Sequence, residues 1–330
     1  MAKNWQPSLK YRLKKILNLT SLEEQKKFLE ANIQAQNDLL QSLNQKLQVT
    51  HPKPTDSLAS AQDDAQTHLP DVYDADARNA IKFVDGLSDD ELTELNRLLN
   101  WKCFVVDGQG RRFGDAASAT KRQVPQQIPD RRIVMMNEVF DLTDKHVLEI
   151  GCFEGIHTIG LSMYAKKVTA FDSRIENVVK TIVRCALFGY HPTVFQYNTE
   201  NPAPSLDWLR ADVIHHVGVL YHLKDPVRHL LSLGTYIQQG IMLDTHYALD
   251  DDATQEYTVE GQTYAYKHHV EGGYRDPFSG MYDFARWLRL DDIAAVLATA
   301  GFPYLDIVEK RDERNGPRVL LMAKRSGDQH

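Results

Sequence analysis

One segment constrains this chain more than any other. Val147-Leu-Glu-Ile-Gly-Cys-Phe-Glu-Gly-Ile-His-Thr158 runs from an apolar, strand-like stretch through two glycines into a helical pattern. Gly151 ends the strand; without a Cβ it permits a sharp turn and lets a ligand lie against the backbone. Gly155 opens the helix, where free N–H groups and the positive dipole end gather. The alternation repeats downstream. The pattern predicts strands at Val147–Ile150, Val168–Phe171, Thr193–Tyr197, Val213–Val217 and Ile241–Asp244, with helices at Thr158–Tyr164, Glu176–Phe188 and Pro226–Ile237. That order specifies an α/β fold with a doubly wound, mostly parallel sheet. The pattern breaks over residues 248–283 and resumes with a helix at Leu290–Ala300. Runs at Tyr304–Glu309 and Arg318–Ala323, joined by Arg311–Pro317, read as a β-hairpin adding an antiparallel edge and completing a seven-stranded sheet.

Asp172 closes the second strand, where an acid accepts the hydroxyls of a ribose. Glu149, just before the turn, can balance a cationic ligand. A dinucleotide site usually carries three glycines, which let a pyrophosphate approach the helix. Here Phe153 takes the middle position, and Glu154 would set negative charge beside a diphosphate. NAD and FAD are disfavoured; S-adenosyl-L-methionine, phosphate-free and carrying a sulfonium, fits.

Over about Arg131 to Lys324 these residues resemble the class I S-adenosylmethionine-dependent methyltransferases. Glu149-x-Gly151-x-x-x-Gly155 resembles the first motif of that family without its middle glycine, and Asp172 resembles its ribose-binding acid. The resemblance implies a Rossmann-like methyltransferase domain using S-adenosyl-L-methionine. It implies a cofactor site of Glu149, Gly151, Cys152, Phe153, Gly155, Asp172, Ser173, Asn198, Val217 and Gly218, with Asn198 beside the adenine. A narrower likeness is Gly218-Val-Leu-Tyr221-His222-Leu-Lys-Asp225-Pro226. It resembles the G-V-L-Y-H-x-x-x-P stretch of the branch that includes the wobble-uridine carboxymethyl-transfer enzymes of tRNA. In that branch the tyrosine lies next to the transferred group. Its basic W-R-K-G-P-F run has only a partial echo here, Trp101-Lys-Cys-Phe104.

Methyl transfer is an in-line displacement, for which alignment supplies most of the acceleration. An oxygen acceptor also needs a base. His215, His216, Tyr221, His222, Asp244 and His246 fall where the fourth and fifth strands end. His222 and His246 are the leading candidates, with Tyr221 beside them; His215 and His216 sit within a strand, so packing claims at least one. The bland alternative for His222 is a histidine that only holds its loop. Asp244, His246 and Asp250–Asp252 would suit a divalent metal or a solvated acidic loop, and no metal is assigned. The 248–283 insertion is expected over the crevice, with Tyr257, Tyr266, His268, Tyr274 and Arg275 forming the acceptor wall or the core of a small β lid. Arg131 and Arg132 read as a solvated pair or as a contact for an anionic acceptor.

Upstream, residues 1–48 form a helical extension. Its first part is basic and amphipathic. Ser21 and Glu24 make a capping box ahead of a heptad stripe, Leu29, Ile33, Leu40, Leu43 and Leu47, which suits a coiled-coil homo-oligomer or a helix folded back on the domain. Residues 49–70 read as a linker, 71–130 as a helical and hairpin accessory region, and 131–330 as the cofactor-binding domain. With 38 basic and 45 acidic residues the net charge is −7, which disfavours nucleic acid as a partner. No apolar run suits a membrane span or signal peptide, and three scattered cysteines suggest a reducing, cytoplasmic setting. The expected function is methylation of a small molecule or glycan, on oxygen. The alternatives are carboxymethyl or methyl transfer to tRNA, and a non-catalytic cofactor-binding scaffold.

Overall fold

The computed structural model describes Val84 and residues 86–114, 124–202 and 205–325. The basic helix, heptad stripe and linker expected before residue 71 lie outside the described residues, as does most of the helix expected from there to Val84. No helix among the described residues is long and apolar enough to cross a membrane.

Helix α1 (Asp89–Leu98) starts at a capping box in which Ser88 Oγ accepts from Glu91 N and the Glu91 carboxylate accepts from Ser88 N. The hairpin β1 (Phe104–Val106) and β2 (Arg112–Gly114) follows. Asp107 shapes its turn by accepting the N–H groups of Gln109 and Arg111 at 3.0 and 2.7 Å.

Helix α2 (Arg131–Phe140), with Asp130 at its N-cap, was not expected from the sequence; Ile133, Met136 and Phe140 bury its inner face. Then come β3 (His146–Ile150), α3 (Ile156–Tyr164), β4 (Lys167–Asp172), α4 (Ile175–Leu187), β5 (Thr193–Gln196), β6 (Ala211–Val217), α5 (Pro226–Tyr236) and β7 (Ile237–His246). The insertion makes β8 (Gln255–Val259) and β9 (Gln262–Val270), which join β10 (Phe284–Leu288) in a small antiparallel sheet. Helix α6 (Leu290–Thr299) and the hairpin β11 (Tyr304–Glu313) and β12 (Gly316–Lys324) complete the fold.

The main sheet has seven strands in the order β11-β12-β7-β6-β3-β4-β5. β3 to β7 run parallel, and β12 and then β11 add antiparallel edges. Helices cover both faces, so the central strands read as near-continuous apolar runs. The final hairpin turns at Arg314-Asn315, within the expected connection but more tightly, because β11 keeps pairing through its polar end, Arg311 to Glu313.

The accessory region shares a core with the sheet's helices: Leu92, Trp101, Cys103, Val105 and Phe113 pack with Ile156, Ile159, Cys185 and Phe188. A buried charge cluster reinforces this contact. The Glu154 carboxylate accepts from Lys102 N (2.7 Å), Cys103 N (3.0 Å) and Lys180 Nζ (2.9 Å), with Arg184 Nη2 at 3.7 Å. Removing one member of a buried set strands the others without compensation. Glu154→Ala is expected to cost about 3–5 kcal/mol in chemical denaturation; a loss under ~1 kcal/mol, the scale of an exposed pair, would show that the cluster does not hold the hairpin.

Candidate functional site

From β3 the chain winds outward to β4 and β5, then returns to lay β6 and β7 on the other side. Such a reversal leaves a crevice at the strand C-termini. Here it is a cavity of about 580 Å³, within the range of small-molecule sites. Two glycines with left-handed backbone, Gly151 (φ +73) and Gly218 (φ +75), line it at the ends of β3 and β6. A Cβ on Gly151 would lie 2.5 Å from Val219 Cγ2, so only glycine fits. The N–H groups of Gly151 and Cys152 both donate to Phe171 O, at 2.9 and 3.1 Å. Gly155 stands behind the turn, where a Cβ would meet Thr181 Cα at 2.9 Å; it seats α3 on α4 and does not line the cavity.

Asp172 ties β4 to this turn. Its carboxylate accepts from Phe153 N (3.1 Å), Arg174 N (2.8 Å) and the Asn177 amide (3.1 Å). Burial pushes its pKa up, against the pull of those donors. A carboxylate offers roughly four acceptor positions, so capacity for a ligand hydroxyl remains. Glu149 is 1% exposed and accepts the Thr158 hydroxyl at 2.6 Å. Burial pushes its pKa up to about 8, so it is largely neutral near pH 7 until a cation arrives. The expectation for Glu154 is corrected: its carboxylate turns away from the turn, drawn by Lys180 and the hairpin N–H groups.

The far wall is built on Asp244, which is fully buried at the end of β7. Arg132 Nη1 (3.2 Å), Arg311 Nη2 (2.8 Å) and Arg318 converge on its carboxylate. Burial alone would raise its pKa; the guanidiniums hold it below the ordinary value. Asp244 is thereby committed to arginines. Arg132 also binds Asp130 and lines the cavity, so it is not a solvated group. Asp250–Asp252 form a surface turn in which Asp252 pairs with Lys267 at 3.1 Å, whereas Asp244 is held by the arginines. Glu149, His157 and His215 bring ligand-type atoms within 4.8 Å of one another. Arg132 Nη2 stands 3.1 Å from His157 Nε2, and its charge opposes a cation there.

Tyr221 and His222 line the cavity beside Gly218. His222 Nδ1 lies 2.7 Å from Glu271 Oε1. His246 does not line it: its Nδ1 faces Pro317 O at 3.1 Å and its ring stacks on Trp287 at 4.9 Å. His215 and His216 are buried and away from the lining, and His216 Nε2 meets His229 Nε2 at 2.8 Å. Of the expected cofactor residues, Glu149, Gly151, Cys152, Phe153, Asp172, Ser173, Asn198, Val217 and Gly218 line the cavity together.

The five insertion residues expected at the acceptor do not line it. Tyr257 and Tyr266 pack edge to face in the core beneath the small sheet. His268, Tyr274 and Arg275 are exposed. The insertion instead reaches the cavity through Pro277, Phe278, Ser279, Gly280 and Met281. Their run of small and apolar residues carries no periodicity, which is why sequence alone passed them over.

A family model described as a methyltransferase domain matches residues 109–306, more than half of the chain. The chain belongs to this methyltransferase family. S-adenosylmethionine is the cofactor. Two curated relatives are tRNA U34 carboxymethyltransferases. That of Campylobacter hominis is 31% identical over 130 residues, 36% of this chain and 42% of that protein. That of Campylobacter fetus subsp. fetus is 28% identical over 124 residues, 34% of this chain and 40% of that protein. The chain thus spans about two fifths of these relatives' length. Among solved structures, the N-terminal domain of EvdMO1 with SAH bound gives a TM-score of 0.58 at 22% identity, covering 71% of this chain and 94% of that one. The same domain in the presence of SAH and D-fucose gives 0.57. These likenesses bear on the fold alone.

The methyltransferase cavity fits that cofactor. No lysine or arginine lies between residues 149 and 158 to meet a pyrophosphate, whereas Glu149 and Asp172 offer carboxylates. Between 4.5 and about 8, the folded protein holds a proton on Glu149 that the unfolded chain has released. This group's contribution to stability therefore falls as pH rises through that window. Thermal melts of ligand-free protein from pH 4.5 to 8 should show a shallower decline for Glu149→Gln than for wild type; equal slopes would refute the buried neutral acid.

Proposed function

We propose that this methyltransferase acts on a hydroxyl of a small molecule or glycan, with His222 as general base. In this reading the backbone at Gly151 and Gly218 backs the cofactor, Asp172 takes its ribose hydroxyls, and Glu149 balances its cationic end. S-adenosylmethionine supplies the activated methyl group when bound. Tyr221 borders the transfer point, and Phe278, Ser279 and Met281 face the acceptor. The observation that carries the proposal is the placement of His222 on the cavity wall, next to the Gly218 turn. A hydroxyl must lose its proton as the new bond forms, and an imidazole is suited to take it near neutral pH.

A second reading, carboxymethyl or methyl transfer to tRNA, is favoured by one feature. The Arg318 guanidinium carbon lies 5.3 Å from the Tyr221 ring centroid, so a cationic group borders the place where a carboxylated cofactor would project.

The test is incubation of radiolabelled S-adenosylmethionine with a panel of hydroxylated sugars, beginning with D-fucose, and of radiolabelled S-adenosylmethionine or its carboxylated analogue with unmodified tRNA. Label in a sugar, lowered about 100-fold by His222→Ala, is the expected outcome. Label in tRNA and in no sugar would overturn the first reading. So would sugar methylation that His222→Ala leaves unchanged.

A further inference from the structure

We propose that Glu271, delivered by the insertion, is the positioning residue of His222: it fixes the imidazole proton on Nδ1 and leaves Nε2 to accept the acceptor's proton. The inference rests on the oxygen-methylation reading and extends it from one residue to a dyad.

Glu271 is 7% exposed and lies 49 positions from His222 in sequence. Its Oε1 is 2.7 Å from His222 Nδ1, while its Oε2 accepts the Gly280 N–H at 3.1 Å. Burial would raise the pKa of this carboxyl, but its hydrogen bonds with His222, Ser279 and the Gly280 N–H hold it below its ordinary value. An ionised carboxylate can only accept. The proton in the contact must therefore be on Nδ1, and a neutral His222 keeps its lone pair on Nε2.

The surrounding loop makes this arrangement conditional on closure over the cavity. A Cβ on Gly280 would meet His222 O at 2.3 Å, so glycine lets the loop press against the His222 backbone. Arg174, two residues beyond Asp172, holds the loop from the other side. Its Nη2 donates toward the carbonyls of Gly273, Asp276, Ser279 and Gly280 at 2.9–3.2 Å. Phe278 tilts against Phe153 of the glycine turn, centroids 5.5 Å apart. The loop that closes the cavity thus also holds Glu271 against His222.

Glu271→Gln is the test, because it preserves shape while changing what can be donated. Gly280 N–H needs an acceptor, so the amide oxygen takes that place and the NH₂ faces His222, donating to Nδ1. The imidazole proton must then move to Nε2. With ¹⁵N-labelled histidine, NMR is expected to show the Nδ1–H form of His222 in wild type and the Nε2–H form in Glu271→Gln, assigned by the signal lost in His222→Asn. Calorimetry with S-adenosylhomocysteine should give the same affinity for both, showing that the variant is folded. On the sugar panel the variant should lower kcat about 100-fold, with KM for S-adenosylmethionine within about twofold. An Nε2–H tautomer in wild type, or no change of tautomer in the variant, would overturn the positioning role. The NMR readout needs no acceptor. A failed sugar assay with the expected tautomers would therefore count against oxygen methylation and not against the Glu271–His222 geometry.

Discussion

Everything in this fold follows from the direction change at β3. Strands added on one side lead away through β4 and β5, and strands added on the other lead away through β6 and β7. β3 and β6 lie side by side without being consecutive in the chain, and a gap opens between their C-terminal ends. The two left-handed glycines mark the borders of that gap, and each exposes main chain where a side chain would otherwise project. A ligand there meets peptide groups first and side chains second.

The cavity is electrically divided. Around the glycine turn the groups are acidic and buried, and Glu149 keeps a proton in the absence of a counter-charge. On the opposite side four arginines, Arg131, Arg132, Arg311 and Arg318, interleave with Asp130, Asp244, Glu309 and Glu313. That network is close to neutral as a whole, so it stiffens the wall more than it charges it. Asp244 is its centre: one carboxylate joins α2, β7 and both strands of the final hairpin. Side chains from segments over 100 residues apart in sequence meet there.

The sheet was legible in the sequence because buried parallel strands must be apolar and their turns must use glycine, as at Gly151. The acid at Asp172 was legible because it follows the second strand directly. Glu154 was misread for a physical reason: position in a turn does not say which way a side chain leaves it, and the buried Lys180 and Arg184 pull it outward. Arg311 and Arg318 were passed over because their meaning needs the hairpin register. They stand directly opposite one another, an unfavourable pairing unless a shared anion lies between them, and Asp244 is that anion. Tyr257 and Tyr266 were conspicuous by composition, yet they pack beneath the small sheet. The loop that reaches the cavity does so through residues such as Pro277 and Gly280, whose value is shape.

The contact between Glu154 and the hairpin changes what counts as the domain. The Gly151–Gly155 turn leans on Lys102 and Cys103, well upstream of the first strand of the large sheet. Cutting the chain at Arg131 would bare the greasy flank of α3 and α4 and leave Glu154, Lys180 and Arg184 facing water where the β-hairpin had enclosed them. The smallest excised fragment able to retain an intact Gly151–Gly155 turn therefore begins ahead of α1.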